Sequence, residues 1–585
     1  MKNEKLEQKI SILHHTLHHY SSKSMRTFTR KIHQCLPSAT LTTRPYSTTL
    51  PCLLSTKRPK STSAATESNN GDERYVGTLL PHHDSPPPNS IKLDRGSLTA
   101  GQTSINEEMH DLPHLKPANA IDPPDTEITT LSNGIRVVSQ DTFRQCSTVS
   151  ALVQVGSRYE SEETAGCTHL IEQMAFKSTA KRSHADVVGA LETIGGVPNA
   201  TASREEIVYS IDVLRENTKE AMEILSEVIS EPLMLPEELE ESRQIVGFLL
   251  EMSKDQVSGN IQGNVMEELT SVAFGGENDK NMEDSMTPLG RPLYCDPLRT
   301  EENGSMPVPN IDTVRQFHGN HYRGENIVIS AAGLSHEEAV HLSEKYFGHI
   351  PKSVDSNIQK ERETSLIKNE YVGGSRLVHV PNLDYVHLGI GFETGGWHDD
   401  DLVPACVLIA LLGGGDSFSA GGPGKGMYSR LYRDVLNMCG WVESILGVSL
   451  IQTDVGCVGI VGSTDPQYAA NLYRVMCDQW LRIANEPVDD IALSRARNRL
   501  KSSVLMNLES RLVLGDDMAR QVATYGERQT ASDVCSRIDA VTSDDLIRIA
   551  KRGLNNSPSV VAYGDLTHIP DNIHELVAQA LGCKV

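Results

Sequence analysis

The hydrophobic and polar pattern of this chain changes character near residue 126. Before it, residues 67 to 124 are polar and proline-bearing (Ser85-Pro-Pro-Pro88, Asp122-Pro-Pro-Asp125) with no helical or strand period, which reads as a leader and linker. From Thr126 the pattern turns globular. Thr129-Thr-Leu-Ser-Asn-Gly-Ile-Arg-Val-Val138 predicts a hairpin around Asn133-Gly134, because Asn-Gly takes the positive φ angles of a tight turn. Ser147 to Val155 predicts a strand, and the stretch around His169 a helix. The richest apolar run, Leu402 to Leu412, is only about a dozen residues long and predicts a buried core helix. No segment supplies the roughly 18 uncharged apolar residues of a membrane-spanning helix.

Two strand–helix patterns recur. Val149-Ser-Ala-Leu-Val-Gln-Val-Gly-Ser-Arg-Tyr159 precedes the first core helix, as Val386-His-Leu-Gly-Ile-Gly-Phe-Glu-Thr-Gly-Gly-Trp397 precedes Val403 to Leu412. Ile327-Val-Ile-Ser-Ala-Ala-Gly-Leu-Ser-His336 runs into a helix, and Ser559-Val-Val-Ala-Tyr-Gly-Asp-Leu-Thr-His568 does so 232 residues on. Similar offsets at both ends predict an α+β protein of two related, sandwich-like α/β domains. Their expected bounds are 125–349 and 376–585, joined by a charged, irregular linker at 350–375. A surface insertion, Gly275 to Asp284, carries acidic residues and no assigned role.

The formal charge of −23 is unevenly spread. Between Gln8 and Thr66 there is no Asp or Glu in 59 residues, while lysine, arginine, serine and threonine abound. An arginine-containing, hydroxyl-rich, acid-poor start is the pattern of an organellar transit peptide, expected here at 1–66; the alternative is a basic tail for nucleic acid. Arg44-Pro-Tyr46-Ser47 is similar to mitochondrial presequence cleavage sites, with cutting after Tyr46. Glu4 and Glu7 suit such a leader poorly, whereas Met25-Arg-Thr-Phe-Thr-Arg-Lys31 suits it well, so translation is expected to start at Met25 rather than Met1. Without residues 1–66 the body holds 43 basic and 75 acidic residues, near −32. Such a body repels nucleic acid and attracts cationic ligands, although acidity also serves solubility alone. The eleven cysteines are scattered without a Cys-x-x-Cys pair, so reduced thiols are expected.

The candidate chemistry lies in His169-Leu-Ile-Glu172-Gln173. In the H-x-x-E-H motif two histidines one helical turn apart bind Zn²⁺ and the glutamate activates the metal-bound water. Here Gln173 replaces the second imidazole. An amide is a poor zinc donor, and a catalytic site needs three protein ligands. Glu251 stands downstream where an acidic ligand could serve, and equally reads as a solvated helical carboxylate. With at most two good ligands, His169, Glu172, Gln173 and Glu251 read as remnants of a metal site, with neither metal nor catalysis expected in this chain. His336 and His341 are five apart, about 500° around a helix, so they share no face. Arg520-Gln521 reads as helix surface or as part of a substrate chamber.

A second feature is the run Gly413-Gly414-Gly415-Asp416-Ser417-Phe418-Ser419-Ala420-Gly421-Gly422-Pro423-Gly424-Lys425-Gly426, with seven glycines in fourteen residues. Such a run exposes backbone groups and approaches a ligand closely. A nucleotide cradle would need Ser or Thr after Gly-Lys and a preceding strand; Gly426 and an apolar helix stand there instead. The flanking Met427-Tyr-Ser-Arg-Leu-Tyr432 is too patterned for a plain spacer. The run reads as a peptide-contacting loop, in which Lys425 either acts by charge or only solubilises.

These stretches, with Gly156-Ser-Arg-Tyr-Glu160 and Met506-Asn-Leu-Glu-Ser-Arg511, resemble one family across residues 126–582. It is the α-subunit family of the mitochondrial processing peptidases, among the pitrilysin-type inverted-zincin peptidases. The loop is the specific element, although Asp416 stands where that family commonly has another glycine. The resemblance implies a two-domain fold of that type and a non-catalytic subunit of a heterodimer. It implies that Gly413–Gly426 recognises basic presequence peptides and that Zn sits in the partner, a catalytic β-subunit. It places the chain in the mitochondrial matrix, without a nucleic-acid partner. A core subunit of the ubiquinol–cytochrome c reductase complex at the inner membrane shares the fold and is the second expectation, the two roles being compatible.

Overall fold

A computed structural model describes residues 125–584, apart from 143, 162, 254–259, 276–287, 291–292, 294–308, 353–368, 381–382 and 418–425. The transit peptide, the leader, nearly all of the acidic insertion and part of the expected linker lie outside the described residues. Two six-stranded sheets organise the rest. The first contains β1 (Glu127–Thr130), β2 (Arg136–Gln140), β3 (Cys146–Val153), β4 (Val197–Ala202), β5 (Ile207–Leu214) and β6 (Ile327–Ala332), in the order β1-β2-β6-β3-β5-β4. The second contains β7 (Gly374–His379), β8 (Val386–Gly395), β9 (Gly414–Asp416), β10 (Val442–Ile451), β11 (Val455–Thr464) and β12 (Ser559–Gly564), in the order β7-β12-β8-β11-β10-β9.

Setting aside the edge strands β1 and β9, the two orders are identical when each half is read in its own chain sequence. In both, the first and last strands of the repeat pair in parallel, β2 with β6 and β7 with β12, and their neighbours run antiparallel. The recurrence read from the sequence, β3 with β8 and β6 with β12, is therefore a duplication. The Asn133-Gly134 hairpin forms as expected: β1 and β2 pair antiparallel, and Gly134 adopts φ +93°.

Seven helices accompany the described first half: α1 (Cys167–Gln173), α2 (His184–Ile194), α3 (Thr218–Ser230), α4 (Pro236–Ser253), α5 (Ile261–Gly275), α6 (Ile311–His321) and α7 (His336–Phe347). Seven more follow: α8 (Leu402–Leu412), α9 (Ala469–Asn485), α10 (Asp490–Leu508), α11 (Arg511–Tyr525), α12 (Ala531–Ala540), α13 (Ser543–Gly553) and α14 (Ile573–Leu581). The apolar run at Leu402 to Leu412 is the helix its composition predicts, and no described helix is long and apolar enough to cross a membrane.

Successive strand residues face opposite sides of a sheet, and both sides here are covered. In the first sheet Val137, Ala151, Tyr209 and Ile329 face that half's own helices. Their neighbours Val138, Leu152, Val208 and Val328 pack against Leu514, Met518, Ala519 and Val522 of α11, a helix of the second half. The exchange is mutual. From the first half, Ile261, Val265, Met266, Leu269 and Val272 of α5 pack on Val448, Leu450, Val461 and Val561 of the second sheet.

Ion pairs reinforce this exchange. Arg158, 1% exposed, reaches both Asp454 oxygens at 3.1 and 2.6 Å and Glu205 at 2.5 Å. Glu205 in turn accepts from the Thr453 amide and hydroxyl. Arg520 pairs with Glu206 at 2.9 Å, so it is not the free helix surface expected from sequence but a second tie between the halves. His336 is structural, with its two ring nitrogens bonded to the hydroxyls of Thr129 at 2.7 Å and Ser139 at 2.9 Å.

Candidate functional site: a degraded metal motif and a glycine-rich segment

Helix α1 is seven residues long and starts at Gly166, a left-handed position with φ 94° and no side-chain cap of its own. Its exposed amides are served from a distance. The buried Glu160 carboxylate accepts from Gly166 N at 2.9 Å and Thr168 N at 2.7 Å, placing negative charge where the helix dipole favours it. This cap fixes the turn that presents the motif. His169 is buried; Glu172 and Gln173 are half-buried.

The geometry is that of a metal motif with one ligand exchanged. His169 Nε2 and Glu172 Oε2 are 4.0 Å apart, one turn along the helix. Burial pushes His169 down to about 4, keeping its imidazole neutral. Burial pushes Glu172 up to about 7, partly offset by a hydrogen bond from the backbone of Ala202 at the end of β4. Glu172 Oε2 is buried without a hydrogen-bond partner. Behind the pair, the Tyr209 and Tyr322 hydroxyls meet at 2.7 Å. Tyr322 stacks on His318, whose Nε2 donates to Ile229 O at 3.0 Å.

The donor set does not fit zinc. One imidazole is available, the residue a turn further is the amide Gln173, and Glu251 is exposed on α4. Among the described residues no three His, Cys, Asp or Glu side chains converge as a metal site would require. A carboxyl raised to about 7 holds its proton over part of the neutral range, and without a metal-bound water beside it there is no nucleophile for it to activate.

The glycine-rich segment is described only at its two roots. Gly413, Gly414, Gly415, Asp416, Ser417 and Gly426 are placed; Phe418, Ser419, Ala420, Gly421, Gly422, Pro423, Gly424 and Lys425 lie outside the described residues. The segment leaves α8 at Gly413, with φ +57°, and adds β9 as the edge strand beside β10, pairing Gly414 with Leu446 and Asp416 with Ser444. Gly414, at φ +105°, lies so close to Ile445 O that a side chain would stand 2.0 Å from it, so this strand start must be glycine. Ser429 Oγ accepts from Gly414 N at 3.1 Å, and Ser417 Oγ donates to Glu443 Oε2 at 3.1 Å. Asp416 is exposed as a residue, yet its carboxyl is raised by the protein packed against it, with no cation among the described residues opposing the shift. Ser429, Glu443 and Glu160 are parts of these sites that sequence reasoning did not single out. Glu160 had a signal, since it ends the Gly156–Glu160 stretch, and so had Ser429, which lies in the patterned flank Met427–Tyr432; Glu443 had none.

A duplicated α+β architecture carrying a motif of this kind on the first helix of its first half defines the class: a metallopeptidase fold with a degraded centre. Comparison with known proteins agrees. Residues 136–282 match the family model "Insulinase (Peptidase family M16)" and residues 310–500 match "Peptidase M16 inactive domain". A protein of Arabidopsis thaliana named probable mitochondrial-processing peptidase subunit alpha-1, mitochondrial, is 32% identical over 516 residues, covering 88% of this chain and 93% of its own. The mitochondrial-processing peptidase subunit alpha of Solanum tuberosum is 33% identical, covering 81% and 89%, and that of Homo sapiens 31%, covering 79% and 85%. A chain of complex III2 from Candida albicans shares the fold, with a TM-score of 0.63 and 20% identity over 78% of this chain and 99% of that one. The chain belongs to peptidase family M16, among its mitochondrial-processing peptidase α-subunits.

Proposed function

We propose that this chain is the non-catalytic, peptide-recognising subunit of a mitochondrial processing peptidase. It binds basic presequences through the segment Gly413–Gly426 and presents them to the zinc of a catalytic β-subunit in the matrix. The observation that carries the reading is Gln173 beside the His169–Glu172 pair, in a chain similar over most of its length to proteins named as α-subunits. Three of this chain's properties support it. The acidic body attracts a cationic peptide over long range. Asp416, exposed and paired with no cation among the described residues, offers a carboxylate at the root of the segment. A glycine-rich run contacts a peptide through main-chain groups and so tolerates many side chains. When bound in the partner, zinc activates the attacking water; the residues of this chain hold and orient the peptide.

The test is reconstitution with a catalytic β-subunit. Deleting residues 418–425 is expected to raise the KM for a presequence peptide by about tenfold or more, roughly 1.4 kcal/mol of lost binding, while Glu172→Gln leaves cleavage within about twofold. Abolition of cleavage by Glu172→Gln alone would overturn the division of labour. A core-subunit role in the respiratory complex is separated by fractionation, since it requires the native chain to co-purify with the inner-membrane complex.

A further inference from the structure

Arg499, on α10, sits between the first and last glycines of the glycine-rich segment. A Cβ on Gly413 would stand 2.7 Å from Arg499 Nη1 and 2.3 Å from Ser429 Cβ. A Cβ on Gly426 would stand 2.7 Å from Nη1 and 3.0 Å from Cζ. The same guanidinium thus packs against both roots. Both glycines also take positive φ, +57° and +77°. They are therefore required twice: by the backbone, and by the side chain filling the space a Cβ would need.

Among the described residues the guanidinium has no counter-ion. Nη1 is buried and makes no hydrogen bond, whereas a buried arginine ordinarily has a carboxylate or carbonyl to answer it. The acidic groups nearby on the chain do not serve it. Glu443 accepts from Ser417 at 3.1 Å, and the Asp416 carboxyl feels burial but no cation among the described residues. Shape explains the placement: a flat, rigid group spaces the two roots. Charge does not explain it, since a cation beside a surface for basic peptides can only repel them.

We propose that Arg499 is a positioning residue for peptide capture, its guanidinium setting the separation of Gly413 and Gly426. The inference rests on the reading of the glycine-rich segment as the peptide-contacting surface.

The experiment uses the full chain in complex with a catalytic β-subunit and a fluorogenic presequence peptide. Arg499→Ala is expected to raise KM about tenfold and to leave kcat within about twofold. Arg499→Lys, which keeps the charge and loses the plane, falls between. Gly426→Ala raises KM as well, but the double variant rises by clearly less than the product of the two, because removing the guanidinium leaves room for the Cβ. An unchanged KM for Arg499→Ala, a lower KM (the result if the arginine only repels) or independent effects in the double variant overturns the proposal. Arg499→Gln and a thermal melt of each variant separate loss of capture from loss of folding. Deletion of residues 418–425 separates the two readings. If it leaves KM unchanged, the peptide-contacting role fails; if it raises KM while Arg499→Ala does not, only the role of Arg499 fails.

Discussion

Glu172 shows what a carboxyl becomes when its helical neighbour is an amide instead of a second imidazole. Its folded-state pKa is about 7 against an ordinary value near 4.5, because burial disfavours the charged form. The folded chain therefore keeps a proton that the unfolded chain releases between those values. The resulting stability is full below pH 4.5 and lost as the pH rises through 7, about 3 kcal/mol in all. Three histidines act in the opposite sense. His169, His318 and His387 are lowered to about 4, so their contribution is present above pH 6.5 and lost as the pH falls. A difference between two chains isolates the glutamate. Glu172→Gln is expected to match the wild type at pH 5 and to exceed it by about 2–3 kcal/mol at pH 8 in urea unfolding. Equal stability at both pH values would mean that Glu172 is not held as a neutral acid. Sequence could nominate this residue, since the motif spacing names it. It could not show that its second oxygen is orphaned, because the backbone that surrounds it comes from β4.

The short helix α1 depends on a residue outside itself. Glu160 is the acceptor for two of its first amides, and no side chain at the helix start replaces it. Glu160→Gln retains one acceptor oxygen and loses the charge that answers the helix dipole. It is expected to lower stability by about 1–2 kcal/mol, read as a shift of the urea midpoint without a change in slope. A shift under about 0.3 kcal/mol would show that solvent or another group can cap the helix as well. Elements were legible where their signal is local. The hairpin follows from Asn133-Gly134, and α8 from an apolar run stopped by Gly413, whose φ of +57° an ordinary side chain resists. What each helix packs on was not legible. The apolar residues of α5 and α11 announce a buried face, but nothing in their spacing says that the face belongs to the other half's sheet. The Arg520–Glu206 pair was missed for the same reason, its members being brought together only by that exchange.

Exchange of α5 and α11 makes the duplicated halves one cooperative body. Without α11 the first sheet would open Val138, Leu152, Val208 and Val328 to water, and Leu514, Met518 and Val522 would lose their burial in turn. Each buried aliphatic side chain of this size contributes about 1.5–3 kcal/mol, so the face as a whole is comparable with the 5–15 kcal/mol by which a domain is ordinarily stable. Arg158 sharpens the dependence. In an isolated first half it would keep Glu205 but lose both oxygens of Asp454, and a buried guanidinium short of partners is costly. Residues 125–352 produced alone are therefore expected to bind a hydrophobic dye and to melt without a cooperative transition. Residues 125–585 should instead unfold in one transition followed equally by Trp397, Trp441 and Trp480 fluorescence and by circular dichroism. Co-producing 125–352 with 369–585 should restore that transition, because each fragment supplies the helix the other lacks. A sharp, dye-free melt of the first fragment by itself would show that α11 merely rests on a finished domain. In that case the halves could move apart as independent bodies.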